Sequence, residues 1–145
     1  MSGAFDTGGR ILALDLGQRR IGLAISDELG ITAQGLDTFQ RVRVREDVMK
    51  LAQLVREKNV SLILMGNPVN MSGREGRQSD YAREFGERLR AVAGVEVKLW
   101  DERLTTVEAQ RVLHDSGVSS HKRAQAVDRL AAVILLESYL DSLRV

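Results

Sequence analysis

The sequence predicts an α/β domain of five strands, the first three forming an antiparallel meander and the rest running parallel. Three observations carry this. Short apolar runs of strand length, Ile11 to Leu14 and Leu62 to Met65 among them, are bounded by glycine, asparagine or proline, as buried strands are. Segments between the later runs repeat apolar residues at helical spacing. The first runs lie too close together to hold helices, whereas the later ones alternate with them, the pattern of right-handed crossovers.

Taken in order, residues 10–16 are a buried strand and 21–26 a second, joined through Gly17-Gln18-Arg19-Arg20, which is short enough for a hairpin. A weaker third strand lies within 31–39. Arg41-Val42-Arg43-Val44-Arg45 alternates with period two and, if extended, puts its arginines on one face. From about Glu46 to Lys58, Val48, Leu51, Ala52 and Val55 recur at helical spacing. Residues 61–66 are the fourth strand, ended by Asn67-Pro68, and 69–76 read as a mobile loop. A helix follows with Tyr81, Phe85 and Leu89 spaced by four, then a fifth strand over 95–100. Thr105-Thr106-Val107-Glu108 has the capping-box pattern, so a helix starts there, runs to about His114 and ends near Gly117. The last helix spans roughly 123–143. Residues 1–9 read as a flexible tail and 10–145 as a single domain.

Composition excludes several classes of function. The chain has 145 residues, 21 basic and 20 acidic, so its net charge of +1 announces no nucleic-acid partner by itself. With no cysteine, disulfides, thiolate catalysis and cysteine-bound zinc are out. No run approaches the roughly 18 apolar residues of a membrane helix, and the first residues lack the basic-then-apolar order of a secretory signal. The expectation is a cytoplasmic protein without membrane contact.

Against this background the isolated acids stand out. Asp15 ends a wholly apolar strand, Asp101-Glu102 ends another, and Asp128 interrupts the apolar stripe of the last helix. A carboxylate there is costly to desolvate unless something needs its charge. Each has a bland reading: Asp15 before Gly17 as turn chemistry, Asp101-Glu102-Arg103 as a solvated cluster, Asp128 as a buried acid capping a neighbouring loop or pairing with an arginine. Convergence favours the sharper one. In open α/β sheets ligands bind beyond the carboxyl ends of the strands, and at about 100° per residue Asp128 shares its helix face with Ala124, Ala131 and Leu135, the face that packs on the sheet. Clustered carboxylates repel one another without a cation, and hard oxygen ligands suit Mg2+ or Mn2+. Two such ions about 4 Å apart would activate water and stabilise a leaving oxygen in phosphodiester hydrolysis. His114 and His121 have no metal-ligand spacing and read as surface residues. Each candidate ligand has cations close in sequence: Arg19-Arg20 after Asp15, Arg103 after Glu102, and Lys122-Arg123 before Asp128. These could hold phosphates, with Arg41, Arg43, Arg45, Arg74 and Arg77 extending the surface. Aromatic residues are scarce, so base-stacking recognition is not expected and backbone contact and shape have to dominate.

Four motifs occur in order: Asp15-x-Gly17-x-x-Arg20-x-Gly22-x-Ala24-x-Ser26-Asp27; Gly66-Asn67-Pro68 with Gly73; Asp101-Glu102-Arg103-x-Thr105-Thr106; and Asp128-x-x-Ala131-Ala132-x-x-Leu135. On these, from about Arg10 to Leu143, the chain resembles the YqgF family (RuvX), described as pre-16S rRNA nucleases and as Holliday-junction-resolvase-like. The resemblance implies a ribonuclease H-like fold, a five-stranded mixed sheet flanked by helices, and phosphodiester hydrolysis assisted by Mg2+ or Mn2+. It implies that Asp15 bridges the metals and Asp128 completes the site. In related resolvases the remaining acid ends the fourth strand, where this chain has Gly66-Asn67-Pro68; Glu102 takes its place, with Asp101 as the alternative. Arg20, Arg103, Lys122 and Arg123 become phosphate contacts. Asp27 is a turn residue or supports the site from behind.

The leading expectation is therefore a metal-dependent nuclease acting on structured nucleic acid, trimming the 5′ end of the small-subunit rRNA precursor. The alternatives are a resolvase of branched DNA and a non-catalytic nucleic-acid-binding adaptor. Resolving a two-fold junction would call for a homodimer, whereas trimming one RNA end needs only a monomer. An actin-like phosphotransferase, suggested by Asp15-x-Gly17, would need two such domains, and this chain has room for one.

Overall fold

A computed structural model of the chain describes residues 9–67, 76–101 and 120–143, with side chains at all of these but 67, 101 and 120–125. The elements are β1 (Arg10–Leu16), β2 (Arg20–Ser26), β3 (Ala33–Gln40), α1 (Val44–Glu57), β4 (Val60–Asn67), α2 (Arg77–Ala93), β5 (Glu96–Asp101) and α3 (Ser120–Leu143). They form a five-stranded sheet in the order β3-β2-β1-β4-β5. β2 is antiparallel to β1 and β3, while β1, β4 and β5 are parallel neighbours. The chain thus builds outward from β1 to β3, then returns past β1 to lay down β4 and β5. That reversal falls between β1 and β4, and the carboxyl ends of both strands open there.

The apolar runs of β1 and β4 are buried on both faces, and the two faces carry separate cores. On one, Leu12, Leu14, Ile63 and Met65 pack against Val48 and Leu51 of α1 and Phe85 and Leu89 of α2. On the other, Ala13, Ala24 and Leu64 meet Ala132, Leu135, Leu136, Tyr139 and Leu140 of α3. Where α3 crosses β1 to β3 the facing residues Ala13, Gly22, Ala24 and Gly35 are small, so the helix lies close. A β-carbon on Gly22 would sit 2.0 Å from the carbonyl oxygen of Asp128, and one on Gly35 2.6 Å from Cγ of Arg129. At the far edge Trp100 meets Tyr139 edge to face, 5.1 Å between centroids, and donates Nε1–H to Ser138 Oγ at 3.1 Å.

The expected strands and the helices over α1, α2 and α3 are present, β1 with its expected bounds and the others with boundaries shifted by at most three residues. One local expectation changes. The alternation of Arg41 to Arg45 does not continue as a strand, because β3 ends at Gln40 and α1 begins at Val44. Two acids in the first helical turn, Glu46 and Asp47, favour a helix start there, and Asp47 Oδ1 accepts the Val42 N–H at 3.0 Å, holding the chain as it turns. α2 ends on Gly94, whose φ of 75° a β-carbon would penalise. The expected mobile loop, apart from Gly76, and the helix expected over 105–114 lie outside the described residues, as does the tail but for Gly9. No helix among the described residues is long and apolar enough to cross a membrane.

Candidate metal and nucleic-acid site

Asp15 is the next-to-last residue of β1 and, by alternation, shares the face of Ala13, which packs under α3. Its partner across the antiparallel pair is Gly22, and directly over Gly22 runs the backbone of Asp128. Gly22 therefore lies between the two chain positions: Asp15 faces it across the strand pair, where facing α-carbons are about 4.5–5.5 Å apart, and the Asp128 backbone crosses it from above. The helical-face argument for Asp128 holds, since Ala131 and Leu135 on the same side are buried.

Arg20 starts β2 on the far side of the tight turn from Asp15, which the Gly17 N–H closes onto the Arg20 carbonyl at 3.0 Å. Its Nε–H donates to Asp128 Oδ2 at 2.7 Å. The pair is partly sheltered, with side chains 27% and 19% exposed. The guanidinium thus sets a positive charge against Asp128, and its fork of donors suits carboxylate and phosphate alike.

The other expected site residues are placed less fully. β5 ends at Asp101, in register with Asn67 at the end of β4, and β4 carries no carboxylate. Glu102 and Arg103 lie outside the described residues. His121, Lys122 and Arg123 fall in the first turn of α3, where the structure describes backbone alone, and His114 lies outside it. Asp27 is a turn residue: its carboxylate accepts the N–H groups of Ile31 at 2.7 Å and Thr32 at 3.2 Å, bonds that hold it below the usual carboxylate range.

Sequence reasoning missed a second cluster, on the opposite face of the same sheet end. Arg41 was expected on the surface, yet its side chain is only 9% exposed and pairs with the fully buried Asp47, Nε to Oδ2 at 2.9 Å. It also donates to the Gly17 carbonyl at 2.8 Å and to the Tyr81 hydroxyl, and lies 5.3 Å from the centre of the Phe85 ring. Burial pulls the guanidinium's pKa down, but the bonds to Tyr81 and Asp47 outweigh it and leave it raised. The Arg41 N–H holds the Arg19 carbonyl at 2.9 Å. The turn between Asp15 and Arg20 is therefore fastened twice by one residue. The available signal was the polar residue Asp47 interrupting the apolar face of α1, beside Val48 and Leu51.

Residues 9–142 match the RuvX family, described as Holliday junction resolvase. The chain belongs to the RuvX family. Curated relatives agree: proteins named "Putative pre-16S rRNA nuclease" from Clostridioides difficile and Koribacter versatilis are 46% and 48% identical over 133 residues, covering 92% of this chain and 94% and 87% of theirs. Among solved structures, the fowlpox virus resolvase in complex with Holliday junction DNA matches with a TM-score of 0.59 at 15% identity, over 92% of this chain and 98% of its own. Thermus thermophilus RuvC in complex with a Holliday junction substrate matches at 0.53 and 13%, over 93% and 96%. At such identities these two likenesses concern the fold, which is the ribonuclease H-like fold expected for a RuvX chain.

The donor set accords with a hard divalent cation. Asp15 and Asp128 offer oxygen ligands from a strand and a helix, both rigid. Among the described residues, no group of three histidine, cysteine, aspartate or glutamate side chains converges.

Proposed function

We propose that this RuvX chain is a divalent-metal-dependent nuclease that hydrolyses phosphodiester bonds in structured nucleic acid, and that its substrate is the 5′ end of the small-subunit rRNA precursor. One observation carries the reading: Asp15 and Asp128, roughly a hundred residues apart in sequence, converge on Gly22 with Arg20 bonded to one of them. The relatives' shared name supports RNA as the substrate.

In this reading Asp15, Asp128 and Glu102 hold Mg2+ or Mn2+, with Asp101 the alternative to Glu102. When bound, the metal supplies an activated water and a charge against the leaving oxygen. The protein's share is positional. β1 and α3 fix the acids, and Arg20 keeps Asp128 aimed. Arg20, Arg103, Lys122 and Arg123 take phosphates on either side. The test is cleavage of precursor small-subunit rRNA beside a synthetic four-way DNA junction, with Mg2+, Mn2+ or EDTA. Asp15→Asn removes the charge without changing volume, so it abolishes cutting while leaving fold and binding intact. Cutting by Asp15→Asn at the wild-type rate removes Asp15 from the site. A preference for the junction moves the substrate to branched DNA.

The absence of an acid on β4 favours a second reading, a binding adaptor without catalysis. Nucleic-acid binding with no cut on either substrate, under every metal, would establish it.

A further inference from the structure

A cavity of about 700 Å³ opens at the carboxyl ends of β1 and β4, where the strand order reverses, on the α1–α2 side of the sheet. Gly17 and Gly66 form its floor. Its walls carry three guanidinium groups, those of Arg41, Arg43 and Arg77; Arg41 is paired with the lining carboxylate Asp47, and Arg43 with Glu46 at 3.2 Å. Tyr81 stands on the rim, 41% exposed, its hydroxyl fixed by Arg41. Apolar residues of β1 and of the start of α1 complete the lining.

We propose that this cavity holds one unpaired nucleotide of the substrate strand, next to the phosphate that reaches Asp15 and Asp128. This rests on the nuclease reading and names a substrate contact for it. Arg77, the lining guanidinium with no acid partner among the described residues, selects an anion, and its place in the first turn of α2 adds a helix N-terminus of the favourable sign. An aromatic ring beside an apolar wall suits a nucleobase better than a bare phosphate does, and only an unstacked base can reach it. The size fits a single nucleotide with room for water. Continuity places it: the cavity floor at Gly17 is two residues beyond Asp15, so a strand crossing the sheet end meets both. Scarcity of aromatic residues does not oppose this, because one ring in a charged pocket is enough. Arg41 has an internal duty here. Held by Asp47, it keeps the Tyr81 ring and the Gly17 turn in fixed relation whether or not substrate is bound.

The test is fluorescence anisotropy with a short single-stranded RNA in EDTA, which separates binding from cleavage, with the melting temperature of each variant recorded. Tyr81→Ala should weaken binding about tenfold, the scale of one lost base stack. Tyr81→Phe keeps the ring but loses the bond to Arg41, and should bind like wild type. Arg77→Ala should flatten the salt dependence by about 0.7 in log–log slope, and Arg88→Ala, on the same helix outside the cavity, should change nothing. Wild-type binding by folded Tyr81→Ala and Arg77→Ala overturns the proposal, as does an oligonucleotide that fails to bind or a protein that binds only acidic peptide. Loss of binding in these variants, together with no cleavage by wild type, sinks the nuclease reading and leaves the pocket standing.

Discussion

At Gly22 the absence of a single methyl group decides whether two elements can meet. A β-carbon there would stand 2.0 Å from the Asp128 carbonyl and 3.1 Å from its α-carbon, both backbone atoms of a packed helix. Neither can swing aside as a side chain would. Gly22→Ala must therefore lift α3 at the point where Asp128 faces Asp15, and we expect it to cost about 2–3 kcal/mol in urea unfolding and to depress cleavage further than that loss explains. Gly35→Ala makes the contrast. Its nearest neighbours are Cγ and Cδ of Arg129, a flexible chain that can move, so it should cost about 1 kcal/mol and leave cleavage near wild type. If the two substitutions cost the same, close approach at Gly22 is not what sets the helix position. The Gly22 motif was visible in the sequence, but its reason was not. Nothing in a linear pattern says that a helix a hundred residues later will press its backbone on that residue.

The helix α1 shows how an element can be read correctly for its type and missed for its task. Val48, Leu51, Ala52 and Val55 announce its buried face, and the structure buries them all. Asp47 sits on that face too, fully buried, and its carboxylate answers Arg41 and the Val42 N–H. The sequence offers Arg41 as the start of an alternating charged strand because spacing alone cannot tell that the chain turns two residues after Val42. The buried pair should behave as such pairs do. Asp47→Ala leaves a guanidinium inside without its counterion and should cost about 3 kcal/mol, whereas the paired replacement Arg41→Met with Asp47→Leu should recover much of that. A double-mutant cycle in chemical denaturant measures it. Near-zero coupling between the two sites would show that water, reaching Arg41 from the cavity, already screens the pair. The paired replacement should still slow cleavage, because the turn carrying Asp15 and Arg20 loses the bond to the Gly17 carbonyl.

Across the whole molecule, the order of strands and helices was legible because each apolar run has the length and the boundaries of its element, and the meander-then-crossover order followed from the spacing between runs. That Asp128 lies on the face of α3 turned to the sheet was legible from periodicity, since Ala131 and Leu135 on the same side are buried. The Arg41 cluster was not, since it joins a turn, a helix start and Tyr81 of α2, three places that no period connects. The placement of the acids also predicts a thermodynamic signature. A cation that binds the folded protein alone raises its stability by about 2.7 kcal/mol at a hundredfold excess over Kd. Mn2+ should accordingly raise the melting temperature of wild type and not of Asp15→Asn; an equal rise in both would place the ion elsewhere. One consequence reaches beyond equilibrium. Asp15 leaves the ribosome early and Asp128 late, and at about 5–20 residues per second several seconds of synthesis separate them. The local meander of β1 to β3 can form in that interval, but the groove over Gly22 stays open until α3 is made and docks. A newborn chain thus holds Asp15 in its sheet for that interval with nothing of α3 yet over Gly22.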